Sequence, residues 1–353
     1  MDARPPISVL HLVGSAVDDF MADLSRLYAG ACLAALTAPG RYDHHLAYVS
    51  PDGSWRFPAD LGADALASAI AMPLDDALAY VKMLGVDVVV PQMFCLPGMT
   101  SYRAVFDLLG IAYLGNPPEV MANAANKATA RAIVAAAGVA VPDGRLVGSG
   151  GASPLPLPVV VKPVDADNSA GVSLVHEPAD YDAAVDLALA HGTAALVESY
   201  VPLGREVRCG TIVRDGEVTC LPLEEYAVDP AVKPIRGRDD KLDRTEGGDL
   251  FLVAKDASRA WIVPEDDPVT AVVWEAARRC HEALGCRHYG LFDFRIDAEG
   301  NPWFLEAGPY CSFAPTSVIA VMAAARGIEV TELFAIALAE LDGERPRCSL
   351  TTS

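Results

Sequence analysis

Strand-like and helix-like stretches alternate through the first third of this chain. Residues 87–91 form a short β-branched run, which is typical of a strand buried on both faces of a parallel sheet. This alternation predicts a doubly wound parallel sheet, an α/β architecture, because each helix returns the chain to the start of the next parallel strand. The predicted strands are 7–13, 45–49, 87–91 and 111–114, and the predicted helices are 16–36, 74–84 and 102–109.

The rest of the chain indicates a mixed α+β region. Residues 119–137 are rich in alanine and predict one helix, and the Gly/Ser/Pro-rich stretch 148–158 predicts a loop. The last two strands are predicted to pair as a hairpin around Ala298-Glu299-Gly300. The strands predicted here are 159–162, a strand ending at Val175, 196–200, 206–214, 219–222, 291–297 and 302–306.

Charge and composition exclude several classes of partner. A formal net charge of −20 argues against nonspecific binding to nucleic acid or anionic membranes, which attract basic surfaces. No uncharged apolar run reaches the roughly 18 residues of a membrane span, and the first residues indicate a strand rather than a signal peptide. The eight cysteines include no CxxC pair, which favours reduced thiols and a cytoplasmic protein over a disulfide framework.

Two carboxylates occupy the predicted hairpin. Asp293 lies inside an apolar strand and Glu306 ends the next one, so antiparallel pairing would bring both to one face. Paired carboxylates suit Mg²⁺, which takes hard oxygen ligands and leaves its other positions to water and phosphate. The alternative is an acid satisfied by a nearby arginine such as Arg295, since a buried carboxylate needs a partner.

Two lysines and a polar loop could hold phosphate. Lys162 closes the buried strand 159–162 and Lys127 lies in the alanine-rich stretch. A lysine at the carboxyl end of a strand can reach a bound phosphate, although an exposed strand-end lysine is the simpler alternative. The small-residue loop 165–171 could add backbone N–H donors, and the long charged stretch 229–264 is typical of a functional loop.

These residues occur in one order along the chain, and that order is more specific than any single motif. With the stretches 108–142, 159–175 and 282–307, the sequence resembles the D-alanine–D-alanine ligase family of ATP-grasp enzymes. The resemblance implies an ATP-grasp fold, ATP as a substrate, and Mg²⁺ with Mn²⁺ able to substitute. It also implies four segments: a doubly wound (preATP-grasp) domain at 1–117, a central lid at 118–197, a C-terminal subdomain with the metal site at 198–345, and a tail at 346–353.

The resemblance also implies site roles by position. The two lysines would contact ATP, Glu206 would bind the ribose, and Lys241 would touch the γ-phosphate. Ser317 would hold the carboxylate of the second substrate. The flap over the phosphates matches residues 167–171, including Asn168, Ser169 and Gly171; the adenine hinge matches Glu198, Ser199, Tyr200 and Val201; and the metal ligands match Asp293 and Glu306.

Several positions depart from the family pattern. The family's third metal ligand is an asparagine, and Gly308 stands in its place. The family's arginine two residues before the metal aspartate is replaced by Leu291. The segment 91–102 and the segment 13–19 also lack the family's substrate motifs. The ATP half is therefore expected to be retained and the acceptor half to be remodelled.

Five stretches carry a closer resemblance to ligases of mycosporine-like amino acid biosynthesis: 11–20, 24–29, 48–58, 91–111 and 304–315. Those enzymes join serine or threonine to mycosporine-glycine and release ADP and phosphate. The resemblance implies small-molecule substrates and a homodimer, and another dipeptide or amino acid ligase is the alternative.

Three arginines are candidates for binding the carboxylate of mycosporine-glycine, because a guanidinium binds carboxylates through two parallel hydrogen bonds. They are Arg103, Arg208 and Arg295, and Arg295 is also the candidate for a catalytic arginine. The simpler alternatives are a surface position for Arg103 and a structural ion pair for Arg295.

Overall fold

A parallel sheet forms the N-terminal part of the computed structural model, which describes residues 5–38, 40–166, 169–228, 242–244, 250–252 and 259–344. Its strand order is β3-β2-β1-β4, and the central strand β1 runs parallel to both β2 and β4. The edge strand β3 is antiparallel to β2. The predicted doubly wound α/β sheet is therefore confirmed. The strands are β1 (Ile7–Gly14), β2 (Tyr42–Val49), β3 (Trp55–Arg56) and β4 (Val88–Pro91).

Five helices accompany this sheet, and their ends follow sequence signals. The Asp18 side chain caps the first helix by accepting from the N–H of Met21, and two helices end at left-handed glycines, Gly85 and Gly110. The strand predicted at 111–114 is reduced to one parallel bridge between Tyr113 and Val89, because the backbone pairs with the fourth strand only through the carbonyl of Ala112 and the N–H of Leu114. The helices are α1 (Asp19–Ala35), α2 (Ala63–Ser68), α3 (Leu74–Leu84), α4 (Leu96–Met99) and α5 (Ser101–Leu109).

The single helix predicted for residues 119–137 is instead two helices, α6 (Pro118–Ala125) and α7 (Lys127–Ala136). Asn126 separates them with an extended backbone, and its side chain accepts from the N–H of Thr129. An asparagine that caps a helix in this way offers the backbone an alternative to continuing the preceding helix. The break makes Lys127 the first residue of α7.

A four-stranded antiparallel sheet follows, in the order β5-β8-β6-β7. Helix α8 (Tyr181–His191) packs on it through Tyr181, Val185 and Ala188, which are buried against the valines of β6. The strands are β5 (Gly144–Val147), β6 (Val159–Pro163), β7 (Ser173–Val175) and β8 (Ala195–Ser199).

A six-stranded antiparallel sheet forms the C-terminal part. Its main order is β14-β11-β9-β15-β16, and β10 pairs with β9. The predicted hairpin is the pair β15–β16. The strands are β9 (Arg205–Arg214), β10 (Glu217–Cys220), β11 (Glu224–Tyr226), β14 (Ala260–Ile262), β15 (Tyr289–Ile296) and β16 (Pro302–Ala307), with a separate pair β12 (Leu242–Arg244) and β13 (Leu250–Leu252). The helices are α9 (Pro268–Leu284), α10 (Val318–Ala324) and α11 (Val330–Glu344).

The N-terminal sheet packs directly on the C-terminal part. Tyr42 and Phe313 each meet the ring of Phe334 edge-on, with ring centroids 5.3 and 5.2 Å apart. The Asn116 side chain donates to the carbonyls of Tyr289 and Pro309. These contacts fix the segment after β16 against the N-terminal domain, where a site between the two parts can form.

Two expectations about the whole chain can be compared with the described residues. None of the helices described is long and apolar enough to cross a membrane. The seven cysteines that lie within the described ranges are free thiols, and Cys348 lies outside them. The borders expected for the four segments stay predictions.

Candidate active site

The two predicted metal ligands face each other across the β15–β16 hairpin. Asp293 and Glu306 are paired residues in the register, and the register shifts between Asp293 and Phe294. Both line a large cavity of about 1230 Å³ and a smaller adjoining one of about 110 Å³. Two carboxylates with open space beside them fit a Mg²⁺ ion that keeps water and phosphate ligands. Among the residues the structure describes, no three His, Cys, Asp or Glu side chains converge as a metal-binding group.

Asp293 already has a partner, and it is Arg208 rather than Arg295. The guanidinium Nε lies 2.5 Å from Asp293 Oδ1 and Nη2 lies 2.8 Å from Oδ2, a bidentate ion pair. Burial disfavours the charged guanidinium, but the adjacent carboxylate raises the pKa of Arg208 above its ordinary value. The sequence alone does not reveal this pair, because the pair depends on the register between β9 and β15, in which Arg208 and Asp293 lie opposite one another.

Lys127 lies beside the other carboxylate. Its Nζ is 3.6 Å from Glu306 Oε2 and donates to the carbonyl of Ala166. Its own N–H donates to Val164 O, which ties the start of α7 to the loop after β6. The break between α6 and α7 therefore places this lysine at the junction of the two cavities, both of which it lines.

Lys162 is buried, so it is not an exposed strand-end lysine. Its Nζ lies 2.7 Å from Glu198 Oε2, and the guanidinium Nε of Arg131 lies 3.3 Å from the other oxygen. Lys162 also donates to the carbonyl of Leu305 in β16. The β6–β8 register sets this cluster, since Glu198 pairs with Val160 and Lys162 pairs with Leu196, two positions away on each strand and therefore on the same face of the sheet.

The predicted adenine hinge is held in place by its own backbone and by Arg295. The N–H groups of Ser199 and Tyr200 donate to the carbonyls of Asp143 and Pro158. Arg295 donates to the carbonyl of Val201, and its guanidinium lies 5.4 Å from the centre of the Tyr200 ring. These bonds leave the hinge in a fixed position along one wall of the smaller cavity.

Arg295 also forms an ion pair with Glu206, the predicted ribose ligand, at 3.0 Å. The arginine therefore lines the smaller cavity and links the hinge to the ribose position. The structure does not place it on the large cavity, where a catalytic arginine for the acceptor would be needed.

The predicted flap is described only in part, and the lysine predicted to touch the γ-phosphate is not described. Asn168 and Lys241 lie outside the described residues. Ser169 lines the smaller cavity and has a positive φ of 57°. Gly171 also has a positive φ, and a Cβ there would come within 2.9 Å of Pro163 Cγ, so the turn requires glycine at this position.

The large cavity has an aromatic wall opposite the carboxylates. Tyr28 from α1 meets Phe94 edge-on at 5.4 Å between ring centroids, and Phe94 meets Tyr310 at 5.7 Å. Ser317, directly before α10, and Leu291 complete this side of the cavity. Gly308 lines it without a side chain, and a Cβ there would make an ordinary contact with the ring of Tyr310.

The structure thus brings most of the predicted site residues to two adjoining cavities. Lys127, Asp293 and Glu306 line both cavities, and Ser317 lines the large cavity alone. The other predicted residues at the smaller cavity are Lys162, Ser169, Glu198, Ser199, Val201, Glu206 and Arg295, with Tyr200 beside them. Arg103 is 1% exposed and donates to the carbonyl of Asn116, so it is neither a surface residue nor part of either cavity lining. The roles of all these residues stay predictions.

Comparisons with known proteins agree with this architecture. The family model for the C-terminus of D-Ala–D-Ala ligase matches residues 151–339. A D-alanine–D-alanine ligase of Acidiphilium cryptum is 35% identical over 67% of this chain and 73% of its own length. D-alanine–D-alanine ligase A of Mesorhizobium japonicum is 30% identical over 87% of this chain and 89% of its own.

Solved structures of similar proteins have the same fold. The VanG D-Ala:D-Ser ligase of Enterococcus faecalis superposes with a TM-score of 0.73 at 19% identity, covering 95% of this chain and 99% of that one. The D-alanine–D-alanine ligase of Bacillus anthracis complexed with ATP gives 0.69 at 16% identity, covering 95% and 98%. These matches show an ATP-grasp fold.

Proposed function

Because the chain belongs to the D-alanine–D-alanine ligase family and is an ATP-dependent ligase, we propose that its substrates are mycosporine-glycine and an amino acid, serine or threonine. The product would be an imine mycosporine-like amino acid such as shinorine or porphyra-334, formed with release of ADP and phosphate. A dipeptide or amino acid ligase with other substrates is the alternative.

The observation that carries this proposal is which parts of the sequence supply the residues that line the large cavity. Asp18, Tyr28, Phe94 and Tyr310 all line it. They come from four of the five stretches that resemble mycosporine-like amino acid ligases, namely 11–20, 24–29, 91–111 and 304–315. Four of the stretches that carry this resemblance therefore contribute side chains to one cavity, which the carboxylate pair also lines.

The chemistry of that cavity also supports a ring-shaped acceptor. At about 1230 Å³ it exceeds the roughly 300–1,000 Å³ of common ligand sites, so it has room for an acceptor larger than alanine beside the ATP phosphates. Its aromatic wall of Tyr28, Phe94 and Tyr310 suits the face of a planar conjugated ring. Two alanine side chains are single methyl groups and would leave most of this wall uncovered.

The first reaction step would be phosphorylation of the ring oxo oxygen. That oxygen is conjugated through the ring to the enamine nitrogen, which makes it nucleophilic, and it attacks the γ-phosphorus of ATP as ADP leaves. Lys127 and Lys162 would balance the charge of the phosphates, and Asp293 with Glu306 would hold Mg²⁺. Bound Mg²⁺ neutralises phosphate charge, and the chain contributes mainly positioning and electrostatics.

The second step would be attack by the amine of the amino acid on the ring carbon that carries the phosphorylated oxygen. Phosphate leaves, the nitrogen loses its protons, and the C=N bond of the imine remains. Ser317, which lines the large cavity, would hold the amino acid's carboxylate. No acyl oxyanion forms in this route, which is consistent with Leu291 at the position where the family has an arginine.

The deciding experiment is ligation of mycosporine-glycine with each of the twenty amino acids, with ATP and Mg²⁺ present. The product is identified by its mass and by the ultraviolet shift from ketone to imine chromophore. Product with serine or threonine is expected. Absence of product with mycosporine-glycine, together with ADP release when D-alanine or another simple amino acid is supplied, would favour the alternative.

A matched pair of variants tests the metal assignment in the same assay. Glu306→Gln should abolish turnover, because it removes one of the two carboxylates of the pair. Glu299→Gln, in the exposed turn of the same hairpin, is the control and should leave turnover unchanged. The proposal also carries three expectations from the sequence: a homodimer, a cytoplasmic location, and no nucleic acid or membrane partner.

A further inference from the structure

The ion pair between Arg208 and Asp293 conflicts with the metal-binding role proposed for Asp293. Both carboxylate oxygens accept from the guanidinium, at 2.5 and 2.8 Å. The side chains are 13% and 14% exposed, and both line the large cavity. A carboxylate held in this way has one lone pair on each oxygen occupied and its charge already neutralised by the guanidinium, so the guanidinium opposes the binding of a divalent cation to it.

Among the described residues, each carboxylate of the proposed metal site lies beside a cationic side chain. Asp293 and Glu306 supply two negative charges, and Arg208 and Lys127 supply two positive charges beside them. A divalent cation that bound both carboxylates would leave the two side-chain cations in need of new anionic partners. A buried guanidinium left without a counter-ion is costly, so cation binding should be weak until an anion arrives.

Phosphate groups of ATP are the anions that the proposed function brings to this place. The planar guanidinium has parallel N–H donors that match a phosphate as well as a carboxylate. Arg208 comes from β9, the strand next to β15, so a side-chain rotation about its own bonds can turn it from Asp293 into the large cavity without moving the sheet.

We propose that Arg208 is a catalytic residue that exchanges partners: it holds Asp293 before the nucleotide binds, yields that carboxylate to the divalent cation, and then binds the phosphoryl group being transferred. The inference rests on the ATP-dependent phosphoryl transfer of the proposed function and is independent of the acceptor's identity. Cation and nucleotide binding are thereby coupled through one side chain.

Mn²⁺ binding to the full chain tests this exchange without any acceptor. Free Mn²⁺ is measured by its EPR signal, first alone and then with a non-hydrolysable ATP analogue. In the wild type, Mn²⁺ alone should bind weakly and the analogue should tighten it strongly. Arg208→Met should bind Mn²⁺ alone at least about tenfold more tightly than the wild type. The analogue should then tighten Mn²⁺ binding much less, because the side chain through which the two ligands are coupled is absent, and that coupling acts equally in both directions.

Two further variants keep the test interpretable. Arg208→Lys retains the positive charge and can replace Arg208→Met in the test if Arg208→Met does not fold. It should bind Mn²⁺ alone a few-fold more tightly than the wild type, because lysine cannot bind both carboxylate oxygens in parallel. Arg205→Lys is the matched control on the same strand. It pairs with Glu225 and Asp267 away from the site and should leave Mn²⁺ binding unchanged.

Unchanged or weaker Mn²⁺ binding in both Arg208 variants would overturn the proposal, since Arg208 would then only orient Asp293. This outcome is distinct from failure of the proposed substrate. The Mn²⁺ titration contains no acceptor, and the ligation assay uses the wild-type arginine.

Discussion

Glu198 should be the most costly single side chain to neutralise in the nucleotide half of the site. Its two oxygens meet Lys162 at 2.7 Å and Arg131 at 3.3 Å, and the Glu198 side chain is only 5% exposed. Glu198→Gln keeps the shape but removes the negative charge between two buried cations. We expect Glu198→Gln to destabilise the fold and to weaken ATP binding, because Lys162 loses the group that holds it.

The magnitude follows from the distances. At 2.7 Å and an effective dielectric constant of about 20, one ion pair is worth about 6 kcal/mol before desolvation is subtracted. Breaking a buried pair by removing one partner costs about 3–5 kcal/mol in measured cases. With an unfolding entropy of about 2.1 cal/mol/K per residue over 353 residues, that loss would lower Tm by about 4–7 °C.

Urea and thermal unfolding of the wild type and Glu198→Gln measure this loss. Glu275→Gln is the matched control, because Glu275 pairs with Arg279 at 2.9 Å on an exposed face of α9, where such pairs contribute well under about 1 kcal/mol. Equal, small losses in the two variants would refute the reasoning, since the buried cluster would then be no more valuable than a surface pair.

Three other predictions concern the metal position, a tight turn and the response to acid. Gly308→Asn adds an oxygen ligand beside the carboxylates and should tighten Mn²⁺ binding by about tenfold or more in an EPR titration. No change in the titration would mean that a side chain at this position does not reach the metal. Gly115→Ala should lower the free energy of unfolding in urea by more than about 1 kcal/mol, because φ is +95° and the new Cβ would lie 2.2 Å from the Tyr289 hydroxyl. Adding Tyr289→Phe should recover part of this loss, and a Gly115→Ala variant as stable as the wild type would contradict the prediction. Burial lowers the pKa of His281 to about 4 and that of His288 to about 3. The unfolded chain therefore binds more protons than the folded chain below pH 6.5, and the folded state loses stability as the pH falls, by roughly 2 kcal/mol for each histidine between pH 7 and pH 5. His281→Gln should remove its share of this loss, and an unchanged dependence of stability on pH in that variant would contradict the prediction.

Local chain physics determined much of the fold from sequence. The β-branched run at β4 and the alternation of β1, α1 and β2 predicted the parallel sheet, because apolar periodicity and burial are properties of neighbouring residues. The turn at Gly300 predicted the β15–β16 hairpin and hence the facing of Asp293 and Glu306. Errors arose where one residue overrode the pattern, as Asn126 did by capping α7 and dividing the expected helix.

The partners of the charged side chains were decided only by the tertiary structure. The sequence suggested Arg295 for Asp293, but the β9–β15 register supplies Arg208, and Arg295 pairs with Glu206 instead. The same holds for the aromatic wall, since Tyr28 meets Phe94 only when the N-terminal part folds, and Phe94 meets Tyr310 only when that part packs on the C-terminal part. The sequence by itself thus determined which chemical groups this ligase has. Long-range strand register and domain packing decided which of them touch, because a one-residue change in register would send a different side chain to the same cavity.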